Sequence, residues 1–252
     1  MSVSTLTLND GTQVPWIAFG TGTALYQQDA SDSITLAIDN GFTHLDCAQM
    51  YGNEQSVGKG IIASGKPRSE LYITTKLNRL SPGQTAKTAL QESVRKLGVE
   101  HVDLYLIHSP SAHAGRLQQI LKGATIPPAV NQLEIHPYVW KSLQPVIACH
   151  KEHNIVSSSY GGLSPLFRAQ GGPVDPVIKQ VRARLEQTRA SPVSEAQVLN
   201  KWLQQKDILV VTTSSKADRI REYLDTQNVP ELSVEEVELI ETAGAQLHKK
   251  FF

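Results

Sequence analysis

Along this chain, apolar positions recur in two alternating rhythms. Short runs rich in β-branched residues occur at 17–20, 43–46, 71–76, 102–108, 129–134, 155–160 and 208–212, with helical patterns between them. Strands alternating with helices predict a parallel sheet built from βαβ units. Ahead of them, 5–8 and 14–17 flank Asn9-Asp10-Gly11, a turn sequence that predicts a β-hairpin. A first helix is expected over 32–40, stopped by Gly41. A second is expected to start at Ser81-Pro82, carry Leu90, Val94 and Leu97 on one face and end at Gly98. Ser194 to Gln197 and Ser233 to Glu236 read as capping boxes opening two further helices, the last running through Ile240. The Gly/Pro-rich stretch 160–176 has no clean period and is expected to be a long functional loop.

The strands end on chemistry. Asp46 and Tyr51, then Lys76, then His108 each close or follow one of the short apolar runs. In a β/α barrel such strand-end side chains converge on one face, where active sites are built. An acid, a phenol, an amine and an imidazole gathered there suggest proton transfer. The fold expected is a TIM-type (β/α) barrel with an N-terminal β-hairpin, forming a single domain over 1–252. Seven strands are found where a closed barrel has eight. The interval 111–128 holds one helix, 116–122, enough for a single parallel crossover and no more.

Bulk properties narrow the class. Apolar residues make up 40% and charged residues 19%, ordinary for a globular protein. With 24 Lys plus Arg against 24 Asp plus Glu, no global field draws nucleic acid or an anionic membrane. The first ten residues lack a basic region followed by an apolar core, and no apolar run reaches the roughly 20 residues of a bilayer span. Cys47 and Cys149 are far apart, which suits a reducing compartment. A cytoplasmic protein is expected, with its oligomeric state open.

Asp46-Cys-Ala-Gln-Met-Tyr51-Gly-Asn-Glu-Gln-Ser-Val-Gly58 closely resembles the signature of the aldo-keto reductases. The Lys76 strand, Leu106-Ile-His108-Ser-Pro, Val130-Asn-Gln-Leu-Glu-Ile-His-Pro137 and Val211-Thr-Thr-Ser-Ser-Lys216 follow in that family's order. Tyr160 followed by Leu163-Ser-Pro-Leu166 looks most like fungal members that reduce α-dicarbonyls, ketoamides and conjugated polyketones. The resemblance implies an NADPH-dependent oxidoreductase that turns an aldehyde or activated ketone into an alcohol. Tyr51 would be the general acid, Lys76 would lower its pKa, Asp46 would hold Lys76, and His108 would orient the substrate oxygen. Gly22 and Thr23 would approach the cofactor. Gln132 would grip its carboxamide, Tyr160 would stack on its nicotinamide, and Ser214, Ser215, Lys216 and Arg219 would bind its phosphate. Trp16 would line the substrate site, taking a small carbonyl compound.

Three departures from the family pattern accompany the likeness. Thr213 stands where many relatives carry Lys, and Cys47 replaces a Ser or Thr. One internal β/α unit, whose strand ends in a Ser-Asn pair, is missing after Pro110. A cofactor-binding or interaction protein that has lost catalysis therefore remains an alternative. So do a metal-dependent hydrolase using His44, Asp46, His108 and His136, and a Schiff-base enzyme using Lys76.

Overall fold

A computed structural model describes residues 3–109 and 114–252. Met1, Ser2 and the segment 110–113 lie outside the described residues, and with them Pro110 of the His108 motif and the start of the short interval after it. In chain order the strands and helices begin with β1 (Thr5–Thr7), β2 (Gln13–Pro15), β3 (Ile17–Gly20), α1 (Ser31–Asp39), β4 (His44–Asp46) and α2 (Glu54–Ala63). They continue with β5 (Tyr72–Leu77), α3 (Ala86–Leu97), β6 (Leu104–Ile107), α4 (Ala114–Gly123), β7 (Val130–Glu134), α5 (Pro137–Glu152) and β8 (Val156–Tyr160). Last come α6 (Ser164–Arg168), α7 (Val174–Gln187), α8 (Glu195–Gln204), β9 (Leu209–Thr212), α9 (Ala217–Asp225) and α10 (Val234–Gly244). All seven strands expected from the apolar runs are present.

The chain divides into two compact units. The one made of 17–117 and 213–221 contains β3 to β6 with α1 to α3. Its strands pair in parallel in sequence order, with Gly20 opposite Asp46, Asp46 opposite Thr74 and Lys76 opposite Leu106. The register thus sets Asp46 beside Gly20 at the ends of β4 and β3, while β5 runs on past Asp46 to carry Lys76. Phe19 meets Phe42 edge-on at 5.7 Å within a core that includes Ile34, Leu45, Val57 and Ile73. Helix α2 runs close to both neighbours because two of its residues lack side chains. A Cβ on Gly58 would lie 2.5 Å from the Leu97 carbonyl oxygen, and one on Gly60 would lie 2.5 Å from that of Ser31. Strand β6 pairs only with β5 among the described residues of this unit, and Ile107 on it is exposed.

The other unit, made of 1–16, 118–212 and 222–252, contains the β1–β2 hairpin and the parallel set β7–β8–β9. Trp140 and Trp202 meet edge-on at 5.2 Å, and the Lys206 ammonium lies over both rings. Both capping boxes are formed, Ser194 accepting from the Gln197 N–H and Ser233 from the Glu236 N–H.

Two expectations are corrected. Ser81-Pro82-Gly83 is a turn, and the helix begins at Ala86 after Thr85, whose hydroxyl accepts from the Thr88 N–H in a Thr-Thr capping box. A hydroxyl four residues on won the cap over the proline. The stretch 160–176 is not a loop but carries α6 and the start of α7. Pro165 occupies the first turn of α6, where a missing N–H costs nothing, so proline marked a helix start instead of a break.

Candidate active site

The four strand-end residues meet in the unit that contains β3 to β6. Asp46 ends β4 and Lys76 lies near the end of β5, one strand over; each is about 2% exposed. Alternation along β5 turns Lys76 and Thr74 to one face and Thr75 to the other, where Thr75 bonds the buried Glu54 carboxylate at 2.7 Å. The Lys76 ammonium donates to the Asp46 carboxylate, to the Cys47 carbonyl at 2.9 Å and to Tyr51 Oη at 3.4 Å. Tyr51 is carried on a single 3-10 turn (Gln49–Tyr51), ended by Gly52 in the left-handed conformation. His108 follows β6, its backbone N–H donates to the Leu77 carbonyl at the end of β5, and its ring meets Tyr51 edge-on at 5.2 Å.

Electrostatics set the protonation states. Burial alone would lower the Lys76 pKa, but the Asp46 carboxylate and the Tyr51 phenol outweigh it and the net direction is up, so Lys76 is a cation. Burial pushes the Tyr51 phenol up, and Lys76 only partly offsets this. That corrects the expectation of a phenol brought down by its lysine: the ammonium acts in the expected sense and desolvation wins. Burial, then Lys76, bring the His108 pKa down to about 4, so the imidazole is neutral at physiological pH. Its Nδ1 is buried with no hydrogen-bond partner among the described residues.

The loop after β3 touches this cluster directly. A Cβ on Gly22 would lie 2.9 Å from Cζ of Tyr51 and 3.2 Å from its oxygen. Thr23 has φ of 36°, a strained value for a β-branched residue. The buried Asn53 side chain holds the loop by donating to the Thr21 and Leu25 carbonyls at 2.9 and 2.7 Å. Asn53 carries a role that residue-by-residue reading missed, although it follows Tyr51 by two positions within the quoted motif. Also in this unit, Ser214 bonds the Lys216 N–H ahead of α9, and Lys216 and Arg219 are exposed with no ion pair among the described residues. A hydroxyl and two uncompensated cations at a helix N-terminus suit a phosphate.

In the other unit, Gln132 on β7 lies 3.4 Å from the Ser158 hydroxyl, and Tyr160 ends β8. Trp16 is fully buried, its indole N–H unpartnered among the described residues. Of the histidines considered for a metal, His136 bonds Glu134 at 2.9 Å in this unit, and His44 bonds Thr74 at 2.8 Å in the unit that contains β3 to β6. Among the described residues no group of three or more His, Cys, Asp or Glu side chains is placed to hold a metal.

Residues 16–114 match the model of the aldo/keto reductase family. An NAD/NADP-dependent indole-3-acetaldehyde reductase of Schizosaccharomyces pombe is 33% identical over 281 residues, covering 96% of each chain. The chain belongs to the aldo/keto reductase family. An NADPH-dependent alpha-keto amide reductase of Saccharomyces cerevisiae is 30% identical, covering 95% of this chain and 90% of its own. Among solved structures, a Bombyx mori aldo-keto reductase in complex with NADP matches with a TM-score of 0.83 at 26% identity, covering 96% of this chain and 93% of that one. An aldo/keto reductase from Brucella melitensis matches with a TM-score of 0.81 at 26% identity, covering 96% and 100%. The fold is the TIM-type α/β fold of these enzymes, with seven parallel strands among the described residues. No helix among the described residues is long and apolar enough to cross a membrane.

Proposed function

We propose that this reductase uses NADPH to convert an aldehyde or activated ketone, ketoamides and α-dicarbonyls included, to an alcohol. The observation that carries the reading is the buried Asp46–Lys76 pair placed against the Tyr51 phenol, with a neutral His108 beside it. The S. pombe and S. cerevisiae relatives support the substrate class, and their differing cofactor names leave the choice of NADPH to Lys216 and Arg219, exposed cations without an ion pair among the described residues.

Tyr51 is the general acid. Burial keeps the phenol protonated at neutral pH, the form a proton donor needs. Its oxygen accepts from Lys76, which leaves its own O–H to donate to the carbonyl oxygen. As the proton leaves, the ammonium 3.4 Å away stabilises the phenolate, and Asp46 keeps that ammonium charged. His108 orients the carbonyl oxygen through a hydrogen bond. The reduced nicotinamide supplies the hydride when bound, since no side chain can. In the same unit Gly22 and Thr23 line the cofactor, and Ser214, Ser215, Lys216 and Arg219 bind its ribose phosphate. In the other unit Gln132 holds the carboxamide, Tyr160 stacks on the nicotinamide, and Trp16 forms substrate wall.

The test is Tyr51→Phe. Turnover should fall by about 10²–10⁴-fold while folding and NADPH affinity persist; unchanged turnover sinks the assignment. A second reading, a cofactor binder without catalysis, is favoured by the absence of an eighth parallel strand among the described residues. Tight NADPH binding by the unmodified chain with no oxidation across a broad carbonyl panel would establish it instead.

A further inference from the structure

One buried carboxylate has no part in this chemistry. Glu134, the last residue of β7, is 4% exposed, and its two oxygens accept from consecutive backbone N–H groups, Phe251 at 2.6 Å and Phe252 at 3.2 Å. His136, fully buried, bonds the same carboxylate at 2.9 Å, and its ring lies 5.2 Å from that of Phe251. Desolvating a carboxylate is costly, and here it is matched by donors that fix one short stretch of backbone. The Lys249 N–H adds a bond to the Tyr138 carbonyl at 3.4 Å.

Held this way, the half-exposed Phe252 lies with its ring against Tyr160, Arg168 and Gly161. Its ring lies 5.6 Å from that of Tyr160 at an interplanar angle of 81°. The Arg168 guanidinium lies over it at 4.3 Å. Gly161 makes room: a Cβ there would come within 3.0 Å of the Phe252 ring, and its φ of 68° already disfavours any side chain. Every member of this set belongs to the unit that contains β7 to β9.

We propose that residues 249–252 form a strap that positions Tyr160 for the nicotinamide, with Glu134 as the positioning residue that holds the strap and Phe252 as its contact. The proposal rests on the assignment of Tyr160 to the cofactor. A flat ligand needs one face of the tyrosine ring, and a perpendicular neighbour restrains that ring without covering both faces. Restraint before binding lowers the ordering cost and so raises affinity.

The experiment is a double-mutant cycle read by NADPH dissociation constants from quenching of tryptophan fluorescence, with melting temperatures alongside. Phe252→Ala should weaken NADPH binding by roughly two- to tenfold, the range of an aromatic pair, at a nearly unchanged melting temperature. Glu134→Gln, which keeps the size of the side chain but gives up an acceptor, should weaken it in the same sense. Tyr160→Ala should weaken binding by itself and abolish the effect of adding Phe252→Ala. Weakened binding in Tyr160→Ala with none in Phe252→Ala overturns the strap alone. Tighter binding in Phe252→Ala also overturns it, because the ring then occludes the stacking face. Unchanged binding in Tyr160→Ala overturns the nicotinamide assignment, and the strap with it.

Discussion

Replacing Gly22 by alanine should damage catalysis through contact. The new methyl would meet the Tyr51 ring at 2.9 Å, where ordinary contact begins at 3.4 Å, so one of the two must yield by about 0.5 Å. The ring has little room, with Lys76 5.1 Å from its centroid and His108 5.2 Å away edge-on. Overpacking of this kind costs about 1–3 kcal/mol, or a fall in melting temperature of roughly 2–10 °C for a chain of this size. A 1 Å misplacement of a reacting group can cost about a hundredfold in rate, so half of that predicts roughly a tenfold fall in kcat. The assay is NADPH oxidation with an aldehyde substrate, paired with thermal melts. A variant matching the parent in both kcat and melting temperature would refute the packing of Gly22 against Tyr51.

Three further outcomes are expected. Asp46→Asn leaves Lys76 buried without its counter-charge and should cost about 3–5 kcal/mol in urea unfolding; a loss below about 1 kcal/mol would contradict the pair's burial. His108 and His150, both brought down to about 4 by burial, should titrate there and not near 6.5. Their neutral forms then contribute stability that is present in full above pH 6.5 and lost as pH falls toward 4, so melting temperatures measured across that window should drop toward acid. Lys216→Ala and Arg219→Ala should each weaken NADPH roughly tenfold while leaving NADH unchanged, as titrations of both nucleotides would show. Equal effects on the two nucleotides would remove these cations from the phosphate site.

Much of this protein is legible in its sequence because strand and helix periods are local properties. The seven apolar runs, the two capping boxes and the stop at Gly98 each depend on a few neighbouring residues, and each is formed as read. Local signals failed where they competed. Thr85 took the helix start from Ser81-Pro82, and Pro165 opened a helix in a stretch read as loop. Asn53 escaped notice because its two carbonyl partners, Thr21 and Leu25, lie 32 and 28 residues away.

The sequence by itself determined the family, the order of the strands and the identity of the residues that end them. Tertiary structure alone decided how those residues behave. That Tyr51 rises in pKa beside a lysine is a contest between desolvation and Coulomb attraction, and burial is a property of the whole packed unit. The same holds for the grip of Glu134 on Phe251 and Phe252, 117 and 118 residues further along the chain. No periodicity or motif connects positions so distant; only the folded chain brings a carboxylate to the two backbone donors that match its charge.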